Sequence, residues 1–256
     1  MTEQDDEFFI GWSNVQSRGL RRFLSLAALF VVAGLGTLSA VLALSITDPA
    51  RSLFGENAVP ELPQQVTLSG MLSSEPYPFL LIGPDATHPS GHGVMLSGDG
   101  KRAADFERAS LEGQMVEVKG LLLKRGALDM LVVSERPRLL SDSIPIGLAA
   151  PTSMGRWRVV GEICDGKCGA GIMSPGTGIA HKACASLCLI GGVPPVLVIT
   201  HPLEGHQFLL ISDDQGRALD SRLLRFIGMH VEIEGEVERR GDVALMRVLP
   251  GKLRRL

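Results

Sequence analysis

Residues 161–195, GEICDGKCGAGIMSPGTGIAHKACASLCLIGGVPP, gather all four cysteines of the chain and one of its six histidines. The order is Cys164-x3-Cys168, twelve residues, then His181-x2-Cys184-x3-Cys188. Thiols and an imidazole at this density suit three chemistries. Two disulfides would staple a glycine-rich excursion. The antiparallel return of the chain favours the pairs Cys164–Cys188 and Cys168–Cys184, each worth about 2–4 kcal/mol. Residues i and i+4 of a helix point outward in parallel and bridge poorly, which disfavours Cys184–Cys188. Alternatively Cys164, Cys168, His181, Cys184 and Cys188 are metal ligands, and thiolates with imidazole suit zinc or copper. The x3 spacing is not the Cys-x2-Cys of structural zinc knuckles, and five donors exceed four. Thiol–disulfide exchange is the third reading, without the Cys-x2-Cys of thioredoxin-type centres. The spacing excludes covalent haem attachment and Rieske ligation.

The elements around these residues can be read locally. Cys164 ends a strand, RVVGEIC, and Cys168 follows in the turn Asp165-Gly166-Lys167. A short helix is predicted from Ala180 to about Ile190, carrying His181, Cys184 and Cys188 on one stripe. Gly191-Gly192 caps it and Pro194-Pro195 stop it.

At these residues the chain resembles small exported bacterial OB-like domains of uncharacterised function. The pattern is met by Gly161, Ile163, Asp165, Cys168, His181, Cys184, Cys188, Gly192 and Pro194, then by Val231, Ile233 and Gly235. The resemblance covers about residues 155–250 and implies an OB-like fold without implying an activity. Cys164 is additional to the pattern.

An internal repeat frames the stretch. Residues 111–133 align without gaps on 226–248, pairing Gly113 with Gly228, Val116 with Val231, Gly120 with Gly235 and Arg125-Gly126 with Arg240-Gly241. VMLSGD (94–99) matches LLISDD (209–214), and VTLSG (66–70) matches RVVGE (158–162) at a shorter offset. The second copy therefore carries an insertion after its first strand, and that insertion is the cysteine stretch. Each copy reads as three strands, a helical or loop connection (102–111, 219–226) and a hairpin turning at Arg-Gly. The expected fold class is all-β, tandem OB-like five-stranded barrels preceded by one transmembrane helix.

Residues 23–46 carry no charge and span roughly 36 Å as a helix, enough for a bilayer core. A cleaved signal peptide is the competing reading, but its apolar region is shorter. Arg18, Arg21 and Arg22 precede the run and Asp48 follows it, so the N-terminus is expected in the cytoplasm. The expected organisation is a cytoplasmic tail (1–22) with an apolar stub at Phe8–Trp12, the transmembrane helix (23–46), a linker (47–65), a first OB-like domain (66–140), a linker (141–155), and a second OB-like domain (156–256) with the insertion at 164–195. In a bacterium the body would face the oxidising periplasm from the inner membrane. A net charge of -3 and 5% aromatics argue against nucleic acid.

The remaining candidates are weaker. His88 and His92 could clip a metal in a first-repeat loop, or simply be solvated. His201 and His206 flank a turn, and His230 faces water on a strand. Asp213-Asp214 lie in a turn with no sign of a cleft. Residues 252–256 form a short basic, solvated end. No nucleophile elbow, P-loop, dinucleotide fingerprint or His-Glu-x-x-His occurs, so no enzyme is expected. The expected function is an accessory or assembly protein for a membrane-linked redox or metal-handling system, with a membrane or periplasmic protein partner and a disulfide-stapled insertion. The alternative is a metal or thiol-redox protein using the cluster directly.

Overall fold

A computed structural model of the chain describes residues 17–45, 61–107, 109–140, 150–173 and 176–256. The stub at Phe8–Trp12, the linker at 47–60 and most of the linker at 141–155 lie outside them. The chain divides into residues 1–47 and 48–256. The first unit contains one helix, α1 (Arg18–Ser45). An 18-residue window within Arg18–Leu42 has a mean hydropathy of 2.1, and none of that window is buried. The helix is long and apolar enough to cross a membrane. Ser17 Oγ accepts from Leu20 N at 3.1 Å, an N-cap that starts the helix. Thr37 returns its hydroxyl to Ala33 O at 2.8 Å, so that polar group is satisfied within the helix.

The second unit is built from strands. β1 (Gln64–Ser73), β2 (Phe79–Ile82), β3 (His92–Ser97), β4 (Met115–Arg125) and β5 (Leu128–Val133) form one sheet, with the short β6 (Arg138–Leu139) added on β4. The order is β1-β2-β3-β5-β4, and β4 pairs back onto β1. β7 (Thr152–Asp165), β8 (Pro195–Leu203), β9 (His206–Ser212), β10 (His230–Arg240) and β11 (Val243–Arg255) form a closed barrel in the order β10-β11-β9-β8-β7. The pairings follow the same plan in both. The parallel pair Met95↔Met130 of β3 and β5 has its counterpart, 115 residues on, in Leu210↔Leu245 of β9 and β11. Single 3-10 turns, Ala109–Leu111 and Ser221–Phe226, precede β4 and β10 where the connections were expected. The glycine inside each fourth strand permits close approach. A Cβ on Gly120 would stand 2.3 Å from Val132 O, and one on Gly235 would stand 2.4 Å from Arg247 O.

Two expectations change. β7 begins at Thr152, inside the segment expected to be linker, because Thr152 and Ser153 pair with Arg239 and Glu238 of β10. The basic end is exposed, as expected, but it is not a loose tail. It continues β11, with Leu253, Arg254 and Arg255 opposite Ile233, Glu232 and Val231. Arg254 Nε bonds Glu232 at 2.9 Å and Lys252 Nζ lies 3.4 Å from Glu234.

Alternation along the strands divides the core into three. Leu72, Leu96, Val118 and Leu131 fill the first sheet. Ile163, Leu209, Ile211, Ile233 and Met246 fill the barrel. The opposite faces of the same strands meet in a third cluster, where Met95, Leu123, Leu128 and Met130 pack against Val196, Phe208, Leu210 and Leu245. Strands buried on both faces read as unbroken apolar runs, as in VML at 94–96 and LLI at 209–211. The two sheets therefore share a core rather than hang from a tether. Cys164, Cys168 and Cys188 belong to that shared core.

Candidate metal centre

The insertion leaves β7 at Asp165, makes a tight wide turn at Cys168–Ile172, and returns through Ile179–His181 into α2 (Lys182–Ile190) before β8. Gly192 has φ 87°, the left-handed stop that Gly191-Gly192 promised. Cys184 and Cys188 share one face of α2, as the i, i+4 spacing requires.

The sulfurs of Cys168, Cys184 and Cys188 lie within 4.8 Å of one another, and Cys168 Sγ is 4.0 Å from Cys184 Sγ. No S–S bond joins any of the four cysteines in the structure. Neither expected disulfide, Cys164–Cys188 or Cys168–Cys184, is formed. A disulfide holds sulfurs about 2.05 Å apart. Thiolates on one tetrahedral zinc, each at about 2.3 Å, stand roughly 3.8 Å apart, close to the spacing here. Cys164 is outside the trio. It is buried in the shared core, and burial pushes its thiol well above the ordinary range.

Asp165 braces the trio from β7 and is fully buried. Its Oδ1 accepts from Cys168 N at 2.9 Å, and its Oδ2 lies 3.1 Å from His181 Nε2. Asp165, Cys168 and His181 thus form a second group of close donors that shares Cys168 with the first. The two groups have only Cys168 in common.

The electrostatics treat the sulfurs unequally. Lys101 Nζ is 2.6 Å from Cys184 Sγ and 3.9 Å from Cys188 Sγ. Lys167 is buried, donating to Gly98 O and, at 2.7 Å, to Gly100 O. Desolvation lowers its pKa. Cys188, beside the Cys168 thiol and with Lys101 assisting, is held below the ordinary thiol range despite burial. Cys168, as the donor in a buried site beside Asp165, is pushed up.

Several participants were not legible as such in the sequence. Asp165 and its Asp-x-x-Cys spacing were on view. Lys101 comes from the β3–β4 connection of the other sheet, 83 residues from Cys184, and no local signal announces it. Met173, exposed in the glycine-rich loop, places its Sδ 3.4 Å from Cys184 Sγ. Among the other sequence candidates, His201 and His230 are exposed, whereas His206 is half-buried, and burial lowers its pKa. Contrary to expectation, Asp213 and Asp214 do line an open cleft, together with Arg217, Asp220 and Arg222. Asp213 is occupied by its own loop, accepting from Gln215 N, Arg217 N and Arg217 Nε.

Comparison of the chain with family models, with curated proteins and with solved structures gives no match.

Proposed function

We propose that this chain is a membrane-anchored metal-handling protein that binds one soft or borderline cation, zinc or copper(I), through Cys168, Cys184 and Cys188. The observation that carries the reading is the unbonded trio of sulfurs at metal-ligand spacing beside Asp165–His181 and two lysines. Three thiolates bearing one cation keep net negative charge, which Lys101 and Lys167 offset. The body is read as tandem OB-like barrels, in line with the matching strand orders and the resemblance of residues 155–250 to exported OB-like domains. The helix is read as a single-pass inner-membrane anchor with Arg18, Arg21 and Arg22 on the cytoplasmic side and the body in the periplasm. The role is accessory and non-enzymatic: to hold or pass a metal within a membrane-linked redox or metal-handling system, with a protein partner in the membrane or periplasm.

The test is metal content and thiol count on the full chain purified from membranes in detergent. The expected result is one zinc or copper per chain, with four titratable thiols after chelation. Cys184→Ser loses the metal, and Cys164→Ser keeps it. Two disulfides and no metal uptake after reduction would return the insertion to a staple.

A further inference from the structure

A second group of metal-type donors lies away from the cysteines, where the hairpin turn between β10 and β11 meets the loop before β3. His88, His92 and Asp242 each offer a ligand atom, all within 4.8 Å of one another. His92 Nδ1 is 2.6 Å, and His88 Nε2 3.9 Å, from the same carboxylate oxygen, Asp242 Oδ2. The imidazoles are stacked, with centroids 4.1 Å apart. Nitrogen and oxygen ligands on a tetrahedral zinc at about 2.0 Å stand roughly 3.3 Å apart, which these distances bracket.

The surroundings are those of a built site. His92 Nε2 is 3.0 Å from Asp129 Oδ2, a carboxylate only 4% exposed on β5. A buried carboxylate taking the far N–H fixes the ring, as it does for metal-bound histidines, and the Nδ1 proton that His92 now donates to Asp242 is the one a cation has to displace. Asp129 Oδ1 is buried and unpartnered, and Lys124 Nζ, 3.8 Å from Oδ2, balances the carboxylate charge. Asp85 Oδ1 stands 3.4 Å behind His88 Nδ1 and is anchored by Thr87 N and His88 N. Asp242 Oδ1 accepts from Gly93 N at 2.7 Å, so Oδ2 alone is aimed at the histidines. His88 and Asp242 are part-exposed, which leaves a fourth position open to water.

We propose that His88, His92 and Asp242 form a second site, for a zinc-type divalent cation, that clamps the first sheet onto the barrel hairpin. The donors are imidazole and carboxylate rather than thiolate, so the site prefers zinc to copper(I). The cation takes the place of the proton that otherwise has to hold His92 Nδ1 against Asp242 Oδ2. Two ligands come from one sheet and the third from the other, so binding opposes their separation.

The experiment is zinc equilibrium dialysis of the full chain in detergent, paired with cobalt(II) spectra. Thiolate-bound cobalt gives near-ultraviolet charge-transfer bands, and cobalt on His88, His92 and Asp242 gives none. Wild type is expected to bind one equivalent beyond that reported by those bands. His88→Gln, at a part-exposed loop position that leaves the fold intact, should weaken that equivalent about tenfold or more. Asp129→Asn should weaken it about 10- to 100-fold through loss of the carboxylate charge that holds His92 Nε2. The thiolate bands should persist in both variants. Binding by His88→Gln indistinguishable from wild type, or no equivalent beyond the thiolate bands in wild type, overturns the site.

Discussion

At the scale of single residues, charge and burial assign different roles to chemically identical groups. Cys164 and Cys188 are both thiols in the shared core. One has its ionisation suppressed by burial, while the other lies beside the Cys168 thiol and Lys101, which oppose that penalty. Lys101→Met removes the nearest counter-charge, so metal affinity at neutral pH should fall roughly tenfold, an effect of the size seen for outer-shell changes. A competition titration with a chromophoric chelator checks this. Glu162 supplies a pH-dependent prediction. It is nearly buried on β7, accepts from Gly178 N, and burial raises its pKa above the ordinary carboxylate value. A raised carboxylate pKa means the folded state binds more protons than the unfolded one, so stability falls as pH rises through the interval and stays lower above it. Glu162→Gln keeps the acceptor for Gly178 N and removes the charge. It should be more stable than wild type at pH 7, with the advantage shrinking toward pH 4, as followed by thermal melts across that range.

At the scale of elements, the insertion works because both its ends are tied down. Asp165 ends β7 opposite Pro195, the first residue of β8, and α2 closes against the β3–β4 connection. Ala103 N donates to Gly191 O at 2.7 Å, and a Cβ at Gly191 would lie 1.7 Å from Lys101 O. Gly191 has an ordinary φ of -75°, so glycine is required there by proximity rather than by conformation. Gly191→Ala should push the loop carrying Lys101 off the helix, costing on the order of 1–3 kcal/mol as overpacking does. Urea denaturation measures the cost, and the same variant should bind metal more weakly. α1 carries its own prediction. Alkaline phosphatase fused after Leu256 should be active and a cytoplasmic reporter at the same place inactive, if the arginines at 18, 21 and 22 face the cytoplasm.

At the scale of the whole molecule, the two sheets belong to one compact unit at 48–256. Tyr77 from the first accepts a hydrogen bond from Leu219 N of the second at 2.9 Å, and Met130 packs among Cys168, Val196 and Leu245. The unit should unfold in one transition by calorimetry; two separable transitions would contradict a shared core. Met130→Ala, by leaving a cavity at the junction, should cost about 2–5 kcal/mol and loosen the metal site as well. The sequence pattern anticipated two similar β modules and placed the cysteine site wholly in the second. The structure makes the first module half of the site's enclosure, contributing Lys101 and the carbonyls of Gly98 and Gly100 that hold Lys167.

Local chemistry was enough to determine the apolar helix, the alternating strands with their Arg-Gly turns, the α2 cap and the presence of a cysteine-rich excursion. Each of these follows from residues within a few positions of one another. Which sulfurs meet was not determined locally. Four cysteines allow several partnerships, and spacing alone favoured Cys164–Cys188. The packing of one sheet against the other turns Cys164 into a core residue and gathers Cys168, Cys184 and Cys188 under Lys101. The Asp242 contribution to the histidine cluster was equally hidden, being 150 residues from His92. Long-range contacts of this kind depend on how whole faces bury against each other, and no local period encodes that.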